Sequence, residues 1–481
     1  MTVGAARPVR AASGGRPPNV LIVMSDEHDP AISSAYGHPF VATPAMERLA
    51  AAGARFDAAY CNSPICAPSR ASFVTGKHLH RIGVWDHGSL LAPDEPTWAH
   101  RLNRLGYETA MIGRMHFNGP DQHHGFQIRA VPDDEPVFGR RWAASTLTPA
   151  DWDGPLARAR KGLRHLDAGP GETDRQIYDD QVVAAAKLYL NRVAVSEKPW
   201  AACVGFISPH YPFTVREEYW RRYYPRHADL PETTEEELAV LHPQNRRFRE
   251  FWGCADAPDE VVARARAGYY GLVSFVDDRL GEIIDHVESL GLVEQTMIVY
   301  LSDHGELHGD HGMWCKASFY EQSVRIPMII SWAGHFLEAA RLSRVTSLVD
   351  LVRTVVDLAG SPSGLDDDLD GTSLVPLLLG EEPDGGGEAL SEFTAQMTDR
   401  PARMIRRGRY KLNYYWNEPL ELYDLESDPR ELTNLAALPA AEPIVAELTA
   451  AVLHGWDPAE IDMRVRENQA KRRLIVAGGV P

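Results

Sequence analysis

Two stretches far apart in the chain share one pattern: "NVLIVMSDEH" from Asn19 and "TMIVYLSDHGE" from Thr296. Each is a short run rich in Val, Ile and Leu that stops abruptly at Ser, Asp and a further polar group. A continuous apolar run of that length marks a strand buried on both faces, which means a mostly parallel sheet covered by helices. In open α/β sheets, sites form beyond the carboxyl ends of the strands. Two strands ending in the same chemistry therefore predict Asp26, Glu27, Asp303 and His304 gathered at one edge of one sheet.

The segments between them alternate accordingly. "TPAMERLAAAG" predicts a helix with Thr43 as N-cap, Pro44 at its first position and Gly53 as its stop. "TWAHRLNRLG" predicts a helix ended by Gly106, and "YETAMIG" a strand delivering Arg114 and His116 to its far end. "RQIYDDQVVAAAKLYLNRV" reads as a helix, and "WAACVGFIS" as a buried strand running into Pro209 and His210. "YYGLVSFVDDRLGEIIDHVESLG" is a long amphipathic helix with Val273, Val276, Leu280, Ile283, Val287 and Leu290 at helical spacing. Phe138 to Thr173 reads as loop or insertion, and residues 213 to 260 as an irregular lid or substrate wall.

"GSPSGLDDDLDG" and the stretch Gly380 to Gly387 mark a boundary. Beyond it, "ARMIRRGRYKLNYYWNEPLELYDLESD" predicts short antiparallel strands, followed by a helix near Glu442 to Leu453. The expected fold is α/β: a large mostly parallel sheet sandwiched by helices, with a smaller C-terminal antiparallel sheet plus helix. The expected division is a disordered tail over 1–18, a catalytic domain over 19–375 and an α+β subdomain over 376–481.

Charge narrows the partners. With 49 basic and 67 acidic residues the chain carries −18, so it lacks the cationic footprint that nucleic acid or an anionic membrane requires. An anionic substrate must then meet a local positive site. Five cysteines (Cys61, Cys66, Cys203, Cys254 and Cys315) are odd in number and contain no CxxC, so neither a disulfide framework nor a zinc ribbon follows. "MTVGAARPVRAASGGRPPN" has no signal-peptide apolar run and no stretch reaches membrane-span length, so the expected location is the cytoplasm. Homo-oligomerisation is left open.

Three carboxylates with one imidazole suit a hard divalent cation, Ca²⁺ first, with Mg²⁺ or Mn²⁺ as alternatives. Converging acids without such a partner would repel one another. His116, His210 and Lys316, in "GRMHF", "SPHYPF" and "WCKAS", would face the same mouth and hold a tetrahedral anion. In "NSPICAPSRASFVTG", Pro68 in a first turn and Gly76 at the end predict a helix with Cys66 at its start. There the backbone N–H groups and the dipole favour negative charge. The residues alone allow a thiolate nucleophile. Soft sulfur matches a hard cation poorly, however, and an oxygen nucleophile is wanted in its place.

The order strand-Asp-acid, CxPSRxxxxTG, G-x-x-H, PH and DHGE…GDHG…K resembles the sulfatase family of the alkaline-phosphatase-like superfamily, from about Pro18 to Ala437. "CAPSRASFVTG" and "SDHGELHGDHGMWCK" are its most specific elements, and "ELYDLESDPRELTNLA" is similar to the family's C-terminal segment. The resemblance implies that a separate formylglycine-generating enzyme reads Cys66, Pro68 and Arg70 and oxidises Cys66 to Cα-formylglycine. One hydroxyl of the hydrated aldehyde would attack sulfur and release the alcohol, and the other would then expel sulfate. It further implies Asp26, Glu27, Asp303, His304 and modified Cys66 as cation ligands. Arg70 would position the diol, and His116 would act as base. His210 and Lys316 would grip the sulfate and protonate the leaving oxygen, with Arg114 and His87 also contacting substrate.

The chain departs from the family pattern at three positions. Glu27 stands where Asp or Gln is usual, Arg114 where Lys is usual, and His304 where many members have Asn. "GYETAMIGRMHFNGPDQHHGF" is especially similar to choline sulfatases, in which Asn takes the place of His87 in "GVWDHG". The implied substrate is a small alkyl or aryl sulfate. Trp142, Trp152 and Tyr211 are the aromatic candidates should its alcohol carry a quaternary ammonium. Two other readings stand beside this one: a phosphonate monoester or phosphodiester hydrolase sharing the modified cysteine, and a non-catalytic anion-binding homologue with Cys66 unmodified.

Overall fold

Both paired strands lie side by side at the centre of one sheet. The computed structural model describes residues 16–134, 166–252, 257–361, 368–382 and 386–478. Trp142, Trp152, Cys254, the first fifteen residues of the expected tail and most of the Phe138–Thr173 stretch lie outside those residues.

The sheet strands in chain order are β1 (Asn19–Asp26), β2 (Ala54–Phe56), β3 (Glu108–Gly113), β4 (Ile128–Val131), β5 (Trp200–Pro209), β6 (Thr296–Ser302), β7 (Met328–Ser331) and β8 (Ala340–Leu342). Their spatial order is β8-β2-β7-β6-β1-β5-β3-β4. Only β7 runs against its neighbours, β6 and β2; the remaining pairings are parallel. β1 pairs on one edge with β5 and on the other with β6, so the connections leave it in opposite directions and a crevice opens at its carboxyl end.

Alternation along β1 divides the core. Leu21 and Val23 pack with helices α1 (Pro44–Ala51), α4 (Asp174–Val193) and α5 (Asp259–Ser289). Val20, Ile22 and Met24 face α2 (Cys66–Thr75), α3 (Trp98–Arg104) and α6 (Leu348–Leu358). All eight residues of β1 are buried, as a strand sandwiched by two helical layers requires. Each large apolar side chain so buried contributes about 1.5–3 kcal/mol.

The C-terminal unit is a four-stranded antiparallel meander, β9 (Glu388–Phe393), β10 (Ala402–Arg407), β11 (Tyr410–Tyr415) and β12 (Glu421–Asp424). Helix α7 (Glu442–Val452) packs Leu448 and Val452 against Ile405, Leu412 and Leu422 of this sheet.

Three details depart from the sequence expectation. Thr43 stands at the N-cap of α1, but its hydroxyl engages Ser34 and Ala35; Asp277 of α5 reaches across to accept the Ala45 and Met46 N–H groups instead, both at 2.9 Å. Among the described residues of 213–260 there is regular structure: a short strand (Phe213–Val215) and helices Glu217–Tyr223, Glu235–Ala239 and Pro243–Trp252, and α5 already begins at Asp259. A further helix, α8 (Pro458–Ala477), follows α7. It docks through Ile461, Val465, Gln469 and Arg472, a stripe half polar that carries little hydrophobic periodicity.

Candidate active site

The carboxyl ends of β1, β3, β5 and β6 supply most of the site. β1 ends in Asp26 and turns at Glu27, which adopts φ +70°, a costly backbone for a residue with a side chain. Two contacts hold that turn: the Tyr269 hydroxyl donates to Glu27 O at 2.9 Å, and Glu27 N–H donates to Asp303 Oδ1 at 3.1 Å. Beyond β3 come Arg114 and His116, beyond β5 His210, and beyond β6 Asp303 and His304. Helix α2 points its first residue, Cys66, into the crevice, while Ser69 Oγ donates to Asp303 O at 2.6 Å and pins the first turn to β6.

All eleven residues singled out from the sequence meet there. Cys66 Sγ lies 3.6 Å from Asp26 Oδ1 and 3.0 Å from His304 Nε2. His304 Nδ1 donates to Gly305 O at 2.9 Å, because a carbonyl can only accept, and Nε2 is the ring nitrogen turned toward residue 66. Arg70 bridges the two strand-end acids, with Nη2 at 3.1 Å from Asp26 and Nε at 2.7 Å from Asp303. Lys316 Nζ donates to Glu27 Oε2 at 2.9 Å and lies 2.8 Å from His210 Nε2, which is itself 3.2 Å from Glu27 Oε2. Ring nitrogens of His87 and His116 lie within 4.8 Å of Cys66 Sγ, and the two rings stack with centroids 5.1 Å apart. Arg114 lines the cleft, but its guanidinium also binds Asp26 Oδ2 and Asp134 Oδ1, both at 2.6 Å.

Burial and these charges set the protonation states. Burial opposes the Cys66 thiolate, yet Lys316 and His304 outweigh it and hold the thiol well below its ordinary range. Burial likewise opposes Asp26 ionisation, and Arg114 with Arg70 overcomes it and keeps the carboxylate charged. At Glu27 burial prevails over Lys316 and, with Glu306 nearby, pushes the carboxyl well up. Burial and then Lys316 push His210 down to about 3, and burial holds His87 down to about 4 against the pull of Cys66. His304 is raised to about 10 because Asp303 and Cys66 outweigh its burial.

The donor set accommodates a cation. Asp26, Cys66, Asp303 and His304 offer ligand atoms within 4.8 Å of one another. Glu27 Oε1 is buried without a hydrogen-bond partner among the described residues, an acceptor that lacks its donor. The set is oxygen-rich and suits a hard divalent ion, with the sulfur of residue 66 as its one poor match.

Above the cluster lies a cleft of about 450 Å³, lined on its outer side by Tyr211, Phe248, Trp252, Arg175, Gln396 and Met397. Several contributors escaped the sequence reading. Asp133 accepts the N–H groups of Met115, His116 and Phe117 at 2.6, 2.8 and 3.2 Å, and so holds His116 at φ +61°. Its signal was present: "IRAVPDD" is a strand followed by an acid pair, the pattern that exposed Asp26 and Asp303. Arg175, whose guanidinium lies 2.7 Å from His210 Nδ1, and Gln396, which holds His87, carried no comparable local signal.

Comparison with known proteins matches this geometry. The family model described as Sulfatase matches residues 18–361, and that of the N-sulphoglucosamine sulphohydrolase C-terminal region matches residues 309–455. Choline-sulfatase of Rhizobium meliloti (strain 1021) is 36% identical over 480 residues, covering 95% of this chain and 90% of that protein. Arylsulfatase K of Gallus gallus is 31% identical over 465 residues, covering 91% and 82%. Among solved structures, the phosphonate monoester hydrolase of Agrobacterium radiobacter is similar with a TM-score of 0.73 at 28% identity, covering 94% of this chain and 96% of that one.

Proposed function

The chain belongs to the sulfatase family, enzymes that hydrolyse sulfate esters, and on that premise we propose that its own substrate is a small alkyl or aryl sulfate cleaved over residue 66. Family members use formylglycine made from a cysteine together with a divalent cation. Cys66, in the signature "CAPSRASFVTG", is the residue for that modification, and Asp26, Glu27, Asp303 and His304 are the protein ligands for the cation, Ca²⁺ by preference. As a hydrated aldehyde, residue 66 supplies one oxygen to attack sulfur and a second whose deprotonation expels sulfate.

The other side chains divide the remaining work. Arg70 ties Asp26 to Asp303 and fixes the ligands relative to residue 66. Lys316 brings positive charge to the anion, and a charge fixed in a dry site stabilises what develops in the transition state far better than one in water. His210 and Lys316 grip the sulfate together, and the ammonium of the pair is the proton source for the leaving oxygen. His116 is the base for sulfate release, and His87 and Arg114 contact the anion. Tyr211, Phe248 and Trp252 give the alcohol half an apolar wall, which supports a small organic group over a polymer.

The observation that carries this proposal is the seat of Cys66 at a helix N-terminus, 3.6 Å from Asp26 and 3.0 Å from His304. Mass spectrometry of the peptide spanning Ser63 to Arg70, from protein expressed aerobically in its native host, is expected to show the aldehyde. Unmodified thiol alone would favour the anion-binding homologue. The likeness to a phosphonate monoester hydrolase favours a second activity on phosphonate monoesters or phosphodiesters. Kinetics with 4-nitrophenyl sulfate against a phenyl phosphonate ester decide between them, and a large preference for the phosphonate would replace the sulfate proposal.

Maturation by a formylglycine-generating enzyme, a cytoplasmic location and the division at residues 18 and 375 belong to the same proposal. No described helix is long and apolar enough to cross a membrane.

A further inference from the structure

The loop after β9 enters the cleft from the C-terminal unit and brings one amide with it. Gln396 Oε1 accepts the backbone N–H of His87 at 3.1 Å, and Gln396 Nε2 lies 2.8 Å from His87 Nδ1. These two contacts determine where the imidazole proton sits. A backbone N–H can only donate, so the amide oxygen must face it. The amide nitrogen then faces Nδ1 as a donor, and Nδ1 must accept. The neutral ring therefore carries its proton on Nε2.

His87 Nε2 is buried and makes no hydrogen bond among the described residues, and a ring nitrogen of His87 lies within 4.8 Å of Cys66 Sγ. We propose that Gln396 is a positioning residue that fixes His87 as an Nε2–H donor aimed at the anion held over residue 66. An N–H aimed beforehand at a peripheral oxygen needs no reorganisation as charge develops. The inference deepens the sulfate-ester reading of the same cleft and rests on it.

The surroundings hold this arrangement rigid. Gln396 and Met397 adopt φ +57° and +64°, two consecutive left-handed residues, a strain that persists only where neighbours over-determine the backbone. Gln244 Nε2 donates to Met397 O at 2.5 Å, and Thr394 Oγ1 donates to Trp85 O at 3.3 Å. On the His87 side, Asn118 Nδ2 donates to His87 O at 2.7 Å, and Arg472 of α8 forms a buried pair with Asp86 at 2.6 Å. The C-terminal sheet and α8 thus brace one short loop, Trp85 to Ser89, from two directions.

The test reads the ring proton directly. The full-length protein is labelled with ¹⁵N-histidine, and the His87 signals are assigned by their loss in His87→Asn. The expected spectrum is the Nε2–H tautomer, and Gln396→Glu is expected to move a proton to Nδ1, because a carboxylate can only accept. A wild-type ring protonated on Nδ1 overturns the proposal whatever the enzyme turns over. In parallel, Gln396→Glu at pH 9 is expected to lower kcat/KM for 4-nitrophenyl sulfate about tenfold, the scale of one net hydrogen bond. The same change is expected to alter it less than about twofold in a His87→Asn background, where no tautomer exists to be set. An equal loss in both backgrounds means that Gln396 merely clamps the backbone. Failure of the wild type to cleave the sulfate at all would refute the substrate reading, and the spectra judge Gln396 separately.

Discussion

Lys316 Nζ donates to Glu27 Oε2 at 2.9 Å, a buried contact in the cleft that Cys66 also lines. Burial opposes the ammonium, but Cys66 and Glu27 hold it charged well above its ordinary range. Lys316→Ala is expected to lower kcat/KM by about 10²-fold or more, the scale of a charge-stabilising group. It also leaves Glu27 Oε2 buried without the ammonium that donates to it, a change that costs about 1–3 kcal/mol. Thermal melts alongside the kinetics separate the two effects, and a rate within a few fold of wild type would take Lys316 out of the anion site.

Removing the cation tests the carboxylate cluster. Dialysis against EDTA is expected to abolish turnover, and Ca²⁺, Mg²⁺ or Mn²⁺ to restore it, because Glu27 Oε1, Asp26 and Asp303 then converge without the ion that their oxygens suit. Full activity in a protein shown by elemental analysis to hold no metal would contradict the assignment.

Asp133 touches no substrate yet sets the backbone of residues 115–117 through three N–H groups. Asp133→Ala is expected to reduce kcat on the order of 10- to 100-fold with a smaller change in KM, since a displacement of about 1 Å at a catalytic group has that effect. Steady-state kinetics on a variant verified as folded checks this, and an unchanged kcat would show that His116 keeps its place without the clamp.

Asp277 offers a pH signature remote from the site. Burial pushes its carboxyl up to about 7, with Asp278 and Glu47 adding to the rise, while the Ala45 and Met46 N–H groups oppose it. The folded state therefore binds this proton more tightly than the unfolded chain, whose value is about 3.9. Stability from this group is greatest below pH 4 and declines as pH rises from about 4 to 7, by up to ~1.4 kcal/mol per pH unit midway through that window and about half that at pH 7. Asn does not titrate, so the stability advantage of wild type over Asp277→Asn is expected to shrink from pH 5 to 7 and level off above. Urea midpoints at pH 5, 6, 7 and 8 measure it, and a gap that widens with pH would reverse the assignment.

Cys66→Ala is expected to reduce turnover of 4-nitrophenyl sulfate to background while leaving the melting temperature within a few degrees. Ala is a good helix former at that first position, and the deleted sulfur points into the cleft rather than the core. Retained activity would place the nucleophile elsewhere.

The residues legible in advance belong to one class: polar groups that end an apolar run or open a helix, such as Asp26, Asp303, His210 and Cys66. Their positions follow from local periodicity, because a strand buried on both faces must release its first charged residue at the sheet's edge. The helix Pro243–Trp252 escaped notice because Phe248, Phe251 and Trp252 sit among charged residues in a proline-rich stretch. Helix α8 did so because its docking stripe includes Gln469 and Arg472.

By itself, then, the order of amino acids determined the alternating strands and helices, the sheet edge at which the cleft forms and the polar residues gathered there. Tertiary structure alone decided which distant side chain completes each of them: Asp277 capping α1, Asp133 beneath His116, Gln396 beside His87. Such partners are small sets of two or three polar contacts between segments up to 309 residues apart. A residue's immediate neighbours can flag a candidate, as "IRAVPDD" does for Asp133, but they do not say which group it completes, because that pairing depends on how the layers pack.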